Sequence, residues 1–169
     1  GVGDRVWIRG PLGQGFRLPD DPGSKRMLLV GGGYGVAPLL FLARRALEAG
    51  CAVDVCIGAR TANEVLLAED FERAGAAVWM ATEDGSAGTR GLVTQVAESL
   101  IRDRRPAAVY ACGPGPMLEA VERQCRRHEL PHQLSWEAHM RCGVGLCGSC
   151  ELEGREGWLA CQDGPVSFG

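Results

Sequence analysis

A chain of 169 residues, 46% of them hydrophobic, has room for one ordinary domain and a small appendage, and enough apolar side chains to pack a core. Its 18 Lys and Arg against 21 Asp and Glu leave a formal charge of −3, with no basic surplus of the kind a general nucleic-acid binder needs. No apolar run reaches the length of a membrane-spanning helix, and no charged segment leads into an apolar one as in a secretory leader. The eight cysteines therefore point to metal ligands and core residues in a reducing, cytoplasmic setting rather than to a disulfide framework.

The chain opens on Gly1 rather than Met and enters a strand pattern at once, as expected of a segment from the interior of a longer protein. Arg5-Val6-Trp7-Ile8-Arg9 alternates polar and apolar between Gly3 and Gly10 and predicts a strand. A glycine-rich turn, Gly10-Pro11-Leu12-Gly13-Gln14-Gly15-Phe16, follows, and a polar linker runs from Pro19 to Gly23. Met27–Val30 is a short apolar run of the form taken by a strand buried on both faces. It feeds Gly31-Gly32-Gly33-Tyr34-Gly35-Val36-Ala37-Pro38 and then a helix over 39–49, stopped by Gly50, with Pro38 suited to a first turn. Strand, glycine turn and helix is the order that sets backbone N–H groups and a helix N-terminus against a pyrophosphate. Alone it is equally the pattern of a tight turn with no ligand.

The alternation continues. Strands are predicted over 52–57, 76–81, 107–111 and 133–136. Helices are predicted over 64–74 with Asn63 as cap, over 91–102 with Leu92, Val96 and Leu100 as its apolar positions, and over 117–128. Strands alternating with such helices predict an α/β fold with a doubly wound parallel sheet, whose ligands sit at the carboxyl ends of the strands. Four loops qualify: 31–36, 58–61, 82–88 and 112–116.

Near the end comes Cys142-Gly143-Val144-Gly145-Leu146-Cys147-Gly148-Ser149-Cys150, then ten residues, then Cys161, which the segment Trp158-Leu159-Ala160 is expected to approach as a short strand. Cys-x4-Cys-x2-Cys with a distant fourth cysteine is the plant-type spacing for a [2Fe–2S] cluster. Gly143, Gly145 and Gly148 permit the backbone to curl around it. Structural zinc also takes four cysteines, but usually from two short knuckles, and the second knuckle is missing here. Disulfides or inert buried thiols are the remaining readings.

Taken in order, Gly10-Pro11-Leu12-Gly13-x-Gly15-Phe16, Gly31-x-Gly33-x-Gly35-x-x-Pro38, Cys112-Gly113-Pro114-x-Pro116-Met117 and the cysteine loop resemble the ferredoxin-NADP⁺ reductase superfamily. Within it, Ser135-x-Glu137-x-x-Met140-x-Cys142-Gly143-x-Gly145-x-Cys147-x-x-Cys150 is similar to the iron–sulfur flavoprotein, electron-transfer subunits of dihydroorotate dehydrogenases. The likeness runs from about Gly3 to Phe168. It implies a ferredoxin reductase-like NAD-binding domain over 24–131 and a [2Fe–2S] subdomain over 132–169. Residues 1–23 would be the end of an FAD-binding β-barrel and a linker.

The function implied is a relay from NADH through FAD and the cluster to the catalytic subunit of dihydroorotate dehydrogenase, in pyrimidine (UMP) biosynthesis, within a heterotetramer. The resemblance assigns Gly31, Gly33, Gly35 and Val36 to the NADH pyrophosphate, and Thr82 and Asp84 to the ribose and adenine side. It sets Cys112, Gly113 and Pro114 beside the nicotinamide, with Cys112 the candidate catalytic thiol, and makes Cys142, Cys147, Cys150 and Cys161 the cluster ligands. The family's barrel and its Arg-x-Tyr-Ser motif do not occur in this sequence. The chain by itself is therefore expected not to turn over, since a one-electron cluster cannot take a hydride directly.

Two alternatives stand beside this: the equivalent subunit of another oxidoreductase (a sulfhydrogenase, a ferredoxin:NAD(P) oxidoreductase or a glutamate-synthase-like assembly), or a zinc-stabilised nucleotide-binding module. Arg60 could meet a 2′-phosphate or be a solvated loop residue. Cys51, Cys56 and Cys125 read as core, and His128, His132 and His139 as surface or capping residues. Arg141 could tune the cluster, face an acidic partner or be solvated.

Overall fold

The computed structural model describes residues 1–169. Seven strands form one sheet: β1 (Arg26–Gly32), β2 (Ala52–Ala59), β3 (Ala77–Thr82), β4 (Thr89–Arg90), β5 (Ala108–Cys112), β6 (His132–Ser135) and β7 (Val166–Phe168). Their order is β4-β3-β2-β1-β5-β6-β7, parallel throughout except for the β6–β7 pair. Four helices cover it: α1 (Val36–Glu48), α2 (Ala68–Ala74), α3 (Val93–Arg104) and α4 (Gly115–Arg127). This is the α/β, doubly wound arrangement the alternating pattern predicts.

Two-residue periodicity sorts the core. On β1, Met27 and Leu29 point into a cluster with Leu39 and Leu42 of α1, Phe71 of α2, and Val55 and Tyr110. Leu28 and Val30 point the other way, toward Val93, Ala97 and Leu100 of α3 and Leu118 and Val121 of α4. Burial on both faces explains why β1 is a continuous apolar run. Pro38 falls in the first turn of α1, and Gly50, at φ +87°, follows its end.

The structure departs from expectation where a local pattern lacks a partner. Arg5–Arg9 forms no strand; Trp7 and Ile8 stand 98% and 91% exposed. An alternating segment becomes a strand only when a neighbouring edge takes its N–H and C=O groups, and no edge in this chain does so. Trp158–Ala160 is likewise not a strand: Leu159 alone bridges, antiparallel, to Glu151. The helix expected from Glu64 begins four residues later. Ala62–Glu64 make one 3₁₀ turn, Val65 turns extended, and Leu67 at φ +61° starts α2, so Asn63 caps nothing. Val65–Leu67 pack instead on the α1 core.

On α3 the buried stripe is Val93, Ala97, Leu100 and Ile101, while Leu92 precedes the helix and is exposed. His132 is buried on β6, its Nδ1 3.0 Å from the Leu130 carbonyl oxygen, rather than at the surface. His128 ends α4 with Nε2 2.9 Å from Glu98 of α3. No helix is long and apolar enough to cross a membrane.

Candidate functional site

The sheet order places β1 between β2 and β5, so the chain leaves the carboxyl end of β1 toward one side and returns on the other. The crevice opened at such a reversal is where α/β sheets take ligands. A cleft of about 750 Å³ lies there, walled by the turn after β1 (Gly32, Gly33, Tyr34), the β2–α2 loop (Arg60, Asn63, Glu64), Glu83 after β3, Val93 and Thr94 of α3, and Pro114, Pro116 and Met117. A second, shallow hollow of about 690 Å³ between α1 and α2 is lined by Arg44, Arg73, Glu48 and Asp70 and has no part in this arrangement.

The glycines here make room rather than supply chemistry. Gly35 has ordinary helical angles, but a Cβ on it would run into the carbonyl of Cys112, so the β1 turn and the end of β5 touch backbone to backbone. A Cβ on Gly31 would sit 2.5 Å from Cγ1 of Val36, and one on Gly58 would sit 2.7 Å from Cβ of Val93. Gly33 takes φ +53° with open space around it.

Of the residues expected at the nucleotide, Gly33 and Pro114 stand on the cleft wall. Gly31, Gly35, Val36 and Gly113 are buried just beneath it. Thr82 is buried, its hydroxyl donating to the Ala87 carbonyl at 2.7 Å and accepting from the Ala87 N–H at 3.0 Å. Asp84 accepts from the Ser86 hydroxyl and N–H at 2.6 and 2.9 Å, and these bonds hold its carboxyl below the usual range. Ser86 in turn accepts from the Ala62 N–H at 2.7 Å, tying the loop after β3 to the loop after β2. Neither Thr82 nor Asp84 lines the cleft; their bonds order the loop that carries Glu83, which does. Cys112 is buried at the end of β5; burial pushes its thiol up, against a hydrogen bond with Ser135 that lowers it.

Glu64, Glu83 and Thr94 line the cleft without having been singled out in the sequence, and Met117 does so from the end of the Cys112–Met117 motif. The first three follow the carboxyl ends of their strands by five, one and four residues, so no single spacing marks them. Arg60 is exposed at the polar end, its backbone N–H donating to Glu64 at 3.2 Å.

The cysteine loop packs on the far edge of the sheet. Gly143, Gly145 and Gly148 take φ of +66°, +76° and +68°, the left-handed conformation a curling loop needs. The Val144 N–H donates to Sγ of Cys142 at 3.4 Å, and Sγ of Cys147 lies 3.2 Å from the Ser149 hydroxyl. That hydroxyl first, then the Ser149 and Cys142 backbone and the Cys142 side chain, lower the exposed Cys147 thiol to about 6. Cys150 and Cys161 are buried together with Ala160. The Cys161 backbone hydrogen bond lowers the Cys150 thiol, but burial and the Cys161 sulfur outweigh it, and the net shift is upward.

Hydrogen bonds link Cys147 to Cys142 and Cys150 to Cys161, and no three of the four thiols close into a metal-holding group in this structure. A two-iron cluster takes four terminal thiolates, so the donor set and an N–H aimed at the Cys142 sulfur fit such a group.

The loop is anchored at several points. The Arg9 guanidinium donates to the Cys142 carbonyl, the Trp136 N–H donates to the Pro165 carbonyl at 2.9 Å, and the Arg155 guanidinium lies 4.7 Å from the centre of the Trp136 ring.

Comparison with known proteins agrees with this geometry. Residues 29–123 match the oxidoreductase NAD-binding domain, and residues 137–168 match the iron–sulfur cluster binding domain of dihydroorotate dehydrogenase B. Among curated relatives, the probable dihydroorotate dehydrogenase B (NAD⁺) electron transfer subunit of Methanopyrus kandleri is 41% identical over 164 residues, covering 97% of this chain and 60% of the relative. The corresponding Geobacillus kaustophilus subunit is 44% identical over 168 residues, covering 97% and 63%. The chain spans about three fifths of the length of the curated relatives it matches.

Among solved structures, one described as an NADH-dependent reduced ferredoxin-NADP oxidoreductase, studied for flavin-based electron bifurcation, superposes with a TM-score of 0.80 at 31% identity, over 96% of this chain and 58% of that one. The C-terminal domain of PF1911 hydrogenase from Pyrococcus furiosus, at 18% identity and a TM-score of 0.60 over 74% of this chain and 98% of that one, shares the fold. With more than half of its length matched, the chain belongs to the oxidoreductase NAD-binding domain family, and it carries beside that domain a segment of the dihydroorotate dehydrogenase B iron–sulfur type.

Proposed function

We propose that the chain is the nucleotide-binding and iron–sulfur portion of an electron-transfer subunit. It would carry electrons from NADH through FAD and a [2Fe–2S] cluster to a partner catalytic subunit that oxidises dihydroorotate in the cytoplasm, for pyrimidine synthesis. The observation that carries this is the joining, on one sheet, of a dinucleotide cleft at the β1–β5 crevice and a four-thiol loop at the β6–β7 edge. In this reading residues 24–131 bind the dinucleotide, residues 132–169 hold the cluster through Cys142, Cys147, Cys150 and Cys161, and residues 1–23 lead from an FAD-binding domain. A bound [2Fe–2S] cluster supplies one-electron transfer at negative to moderate potentials.

The chain's own contribution is positional. The start of α1 presents N–H groups to the pyrophosphate, with Gly31, Gly33, Gly35 and Val36 shaping the turn. Thr82 and Asp84 order the loop at the ribose end, and Cys112, Gly113 and Pro114 close the nicotinamide end. Hydride transfer needs the flavin, so the 169 residues alone are expected not to oxidise NADH. The whole protein is proposed to pair with its catalytic subunit as a heterotetramer. A second reading, the relay subunit of a ferredoxin:NAD(P) oxidoreductase, draws on the 0.80 TM-score match at 31% identity.

The test is anaerobic cluster reconstitution, a visible spectrum, and EPR after dithionite. Sulfur-to-iron bands and a rhombic S = 1/2 signal are expected, and Cys147→Ser should remove the signal. A colourless protein with stoichiometric zinc would overturn the relay. Expressed with its barrel, the whole protein should co-purify with a dihydroorotate-oxidising subunit; retention of a ferredoxin-reducing partner instead would select the second reading.

A further inference from the structure

We propose that the hydroxyl of Ser149 raises the reduction potential of the cluster by donating a hydrogen bond to the Cys147 sulfur. Ser149 acts through that ligand and is a positioning residue, not merely a spacer between two cysteines. The inference rests on the cluster reading above and adds a residue outside the ligand set.

Ser149 is half-buried, and its Oγ lies 3.2 Å from Sγ of Cys147. While Cys147 is a thiol, either atom can be the donor. A thiolate held by iron has no proton to give, so only the hydroxyl can then donate, and the direction of the bond is fixed. The Cys142 sulfur accepts instead from the main chain, at the Val144 N–H. Outside the cysteines themselves, Ser149 is the one side chain whose hydrogen bond reaches any of the four sulfurs.

The bond is local. Only Gly148 separates the two residues, and its φ of +68° bends the chain between them. The Gly148 carbonyl then accepts from the Glu151 N–H at 3.1 Å, which closes the turn. A contact made across one residue depends on this turn and not on how the rest of the loop lies. It is therefore kept as the four thiols gather around iron.

Reduction adds one electron, and part of that charge reaches the terminal sulfurs. A hydrogen bond to sulfur strengthens as the sulfur becomes more negative, so it favours the reduced cluster over the oxidised one. Its loss lowers the potential. Cys147 is exposed, and water takes up part of the bond when the hydroxyl is removed. That holds the effect below the full strength of a charge-assisted bond.

The experiment is an EPR-monitored redox titration, with dithionite as the electron donor, on the 169-residue chain reconstituted with iron and sulfide. Wild type, Ser149→Ala and Ser149→Thr are compared. Ser149→Ala should lower the equilibrium constant for reduction roughly three- to tenfold, and tenfold is about 59 mV for a one-electron couple. Ser149→Thr keeps the hydroxyl and should titrate with the wild type. An unchanged midpoint in Ser149→Ala, or an equal fall in Ser149→Thr, would overturn the proposal while the cluster reading stands. If Ser149→Ala holds no cluster, Ser149→Thr is compared with Ser149→Val, which has the same shape without the hydroxyl. A lower midpoint in Ser149→Val supports the proposal; equal midpoints, or a Ser149→Val protein that also holds no cluster, would make Ser149 an assembly residue and overturn it. A wild-type chain that takes up no cluster would overturn both.

Discussion

Arg155, in the segment between the third and fourth cysteines, reaches across to Glu122 of α4, with Nη2 3.2 and 3.3 Å from its two carboxylate oxygens. Its other face covers Trp136, and Arg126 shares the same carboxylate at 2.8 Å. The contact joins the cysteine-bearing segment to the nucleotide-binding sheet. Replacing Arg155 with Ala removes an ion pair that is partly screened and a ring contact. The expected cost is about 1–2 kcal/mol, read as a lower urea midpoint. Hydrogen exchange should rise over 150–161 and stay unchanged in β1 and β2.

Gly35 and Gly15 make a pair of opposite sign. Gly35→Ala drives a methyl into the Cys112 carbonyl and should lose about 1–3 kcal/mol while weakening dinucleotide binding. Gly15 has a φ outside the left-handed region and nothing beyond its chain neighbours within 4 Å of an added Cβ, so Gly15→Ala should gain about 0.5 kcal/mol. Thermal melts of the two variants check both signs.

Asp54 is 1% exposed on β2, accepting from Arg26 at 2.8 Å and from the Trp79 indole at 3.3 Å. Asp54→Ala leaves both donors stranded. Arg26 is a third exposed, so water partly replaces its partner, and the loss should be about 2–3 kcal/mol rather than the roughly 3–5 of a fully buried pair. Asp54→Asn, which can still accept from the indole, should lose less. Denaturant unfolding followed by Trp fluorescence ranks the three proteins.

The eight thiols should label unequally. In metal-free protein at pH 8, above the value of about 6 for Cys147, that residue is thiolate and exposed and should react first with iodoacetamide. Cys125 is buried and pushed up to about 12 by burial and then by Glu98 and Glu122; it stays protonated at pH 8 and should not react without unfolding. Cluster reconstitution should protect Cys147, which peptide mass spectrometry can follow.

The elements legible in the sequence were those whose signal is local. Met27–Val30 and 107–111 read as strands because burial on both faces leaves an unbroken apolar run. The cysteine loop read as a cluster site because its ligand spacing is itself the constraint. The two-residue β4 and three-residue β7 were invisible. Too short to show a period, they exist because β3 and β6 offer edges. Arg5–Arg9 failed in the reverse sense, with a period and no edge to join.

The site divided the same way. Gly31, Gly33 and Gly35 announce a turn, but Glu64, Glu83 and Thr94 reach the cleft only through the convergence of three separate segments. What Gly35 excludes also cannot be read from its neighbours in sequence, because the Cys112 carbonyl lies at the end of a different strand.

Gln14 carries a consequence for motion. Its N–H donates to the Gly164 carbonyl and its own carbonyl accepts from the Val166 N–H at 3.3 Å, so residues near the start of the chain are stitched to those just after the last cysteine. Arg17 continues the seam, its N–H and C=O both engaging the Gln133 side chain at 2.8 Å. Anything attached upstream of Gln14 is thereby leashed to the cysteine-bearing end of the molecule. A swing of such a part about this seam would change its distance to the dinucleotide cleft far more than its distance to the thiols. In the proposed relay, the gap from such a part to the thiols would be held nearly constant and the gap from the dinucleotide left free to open and close.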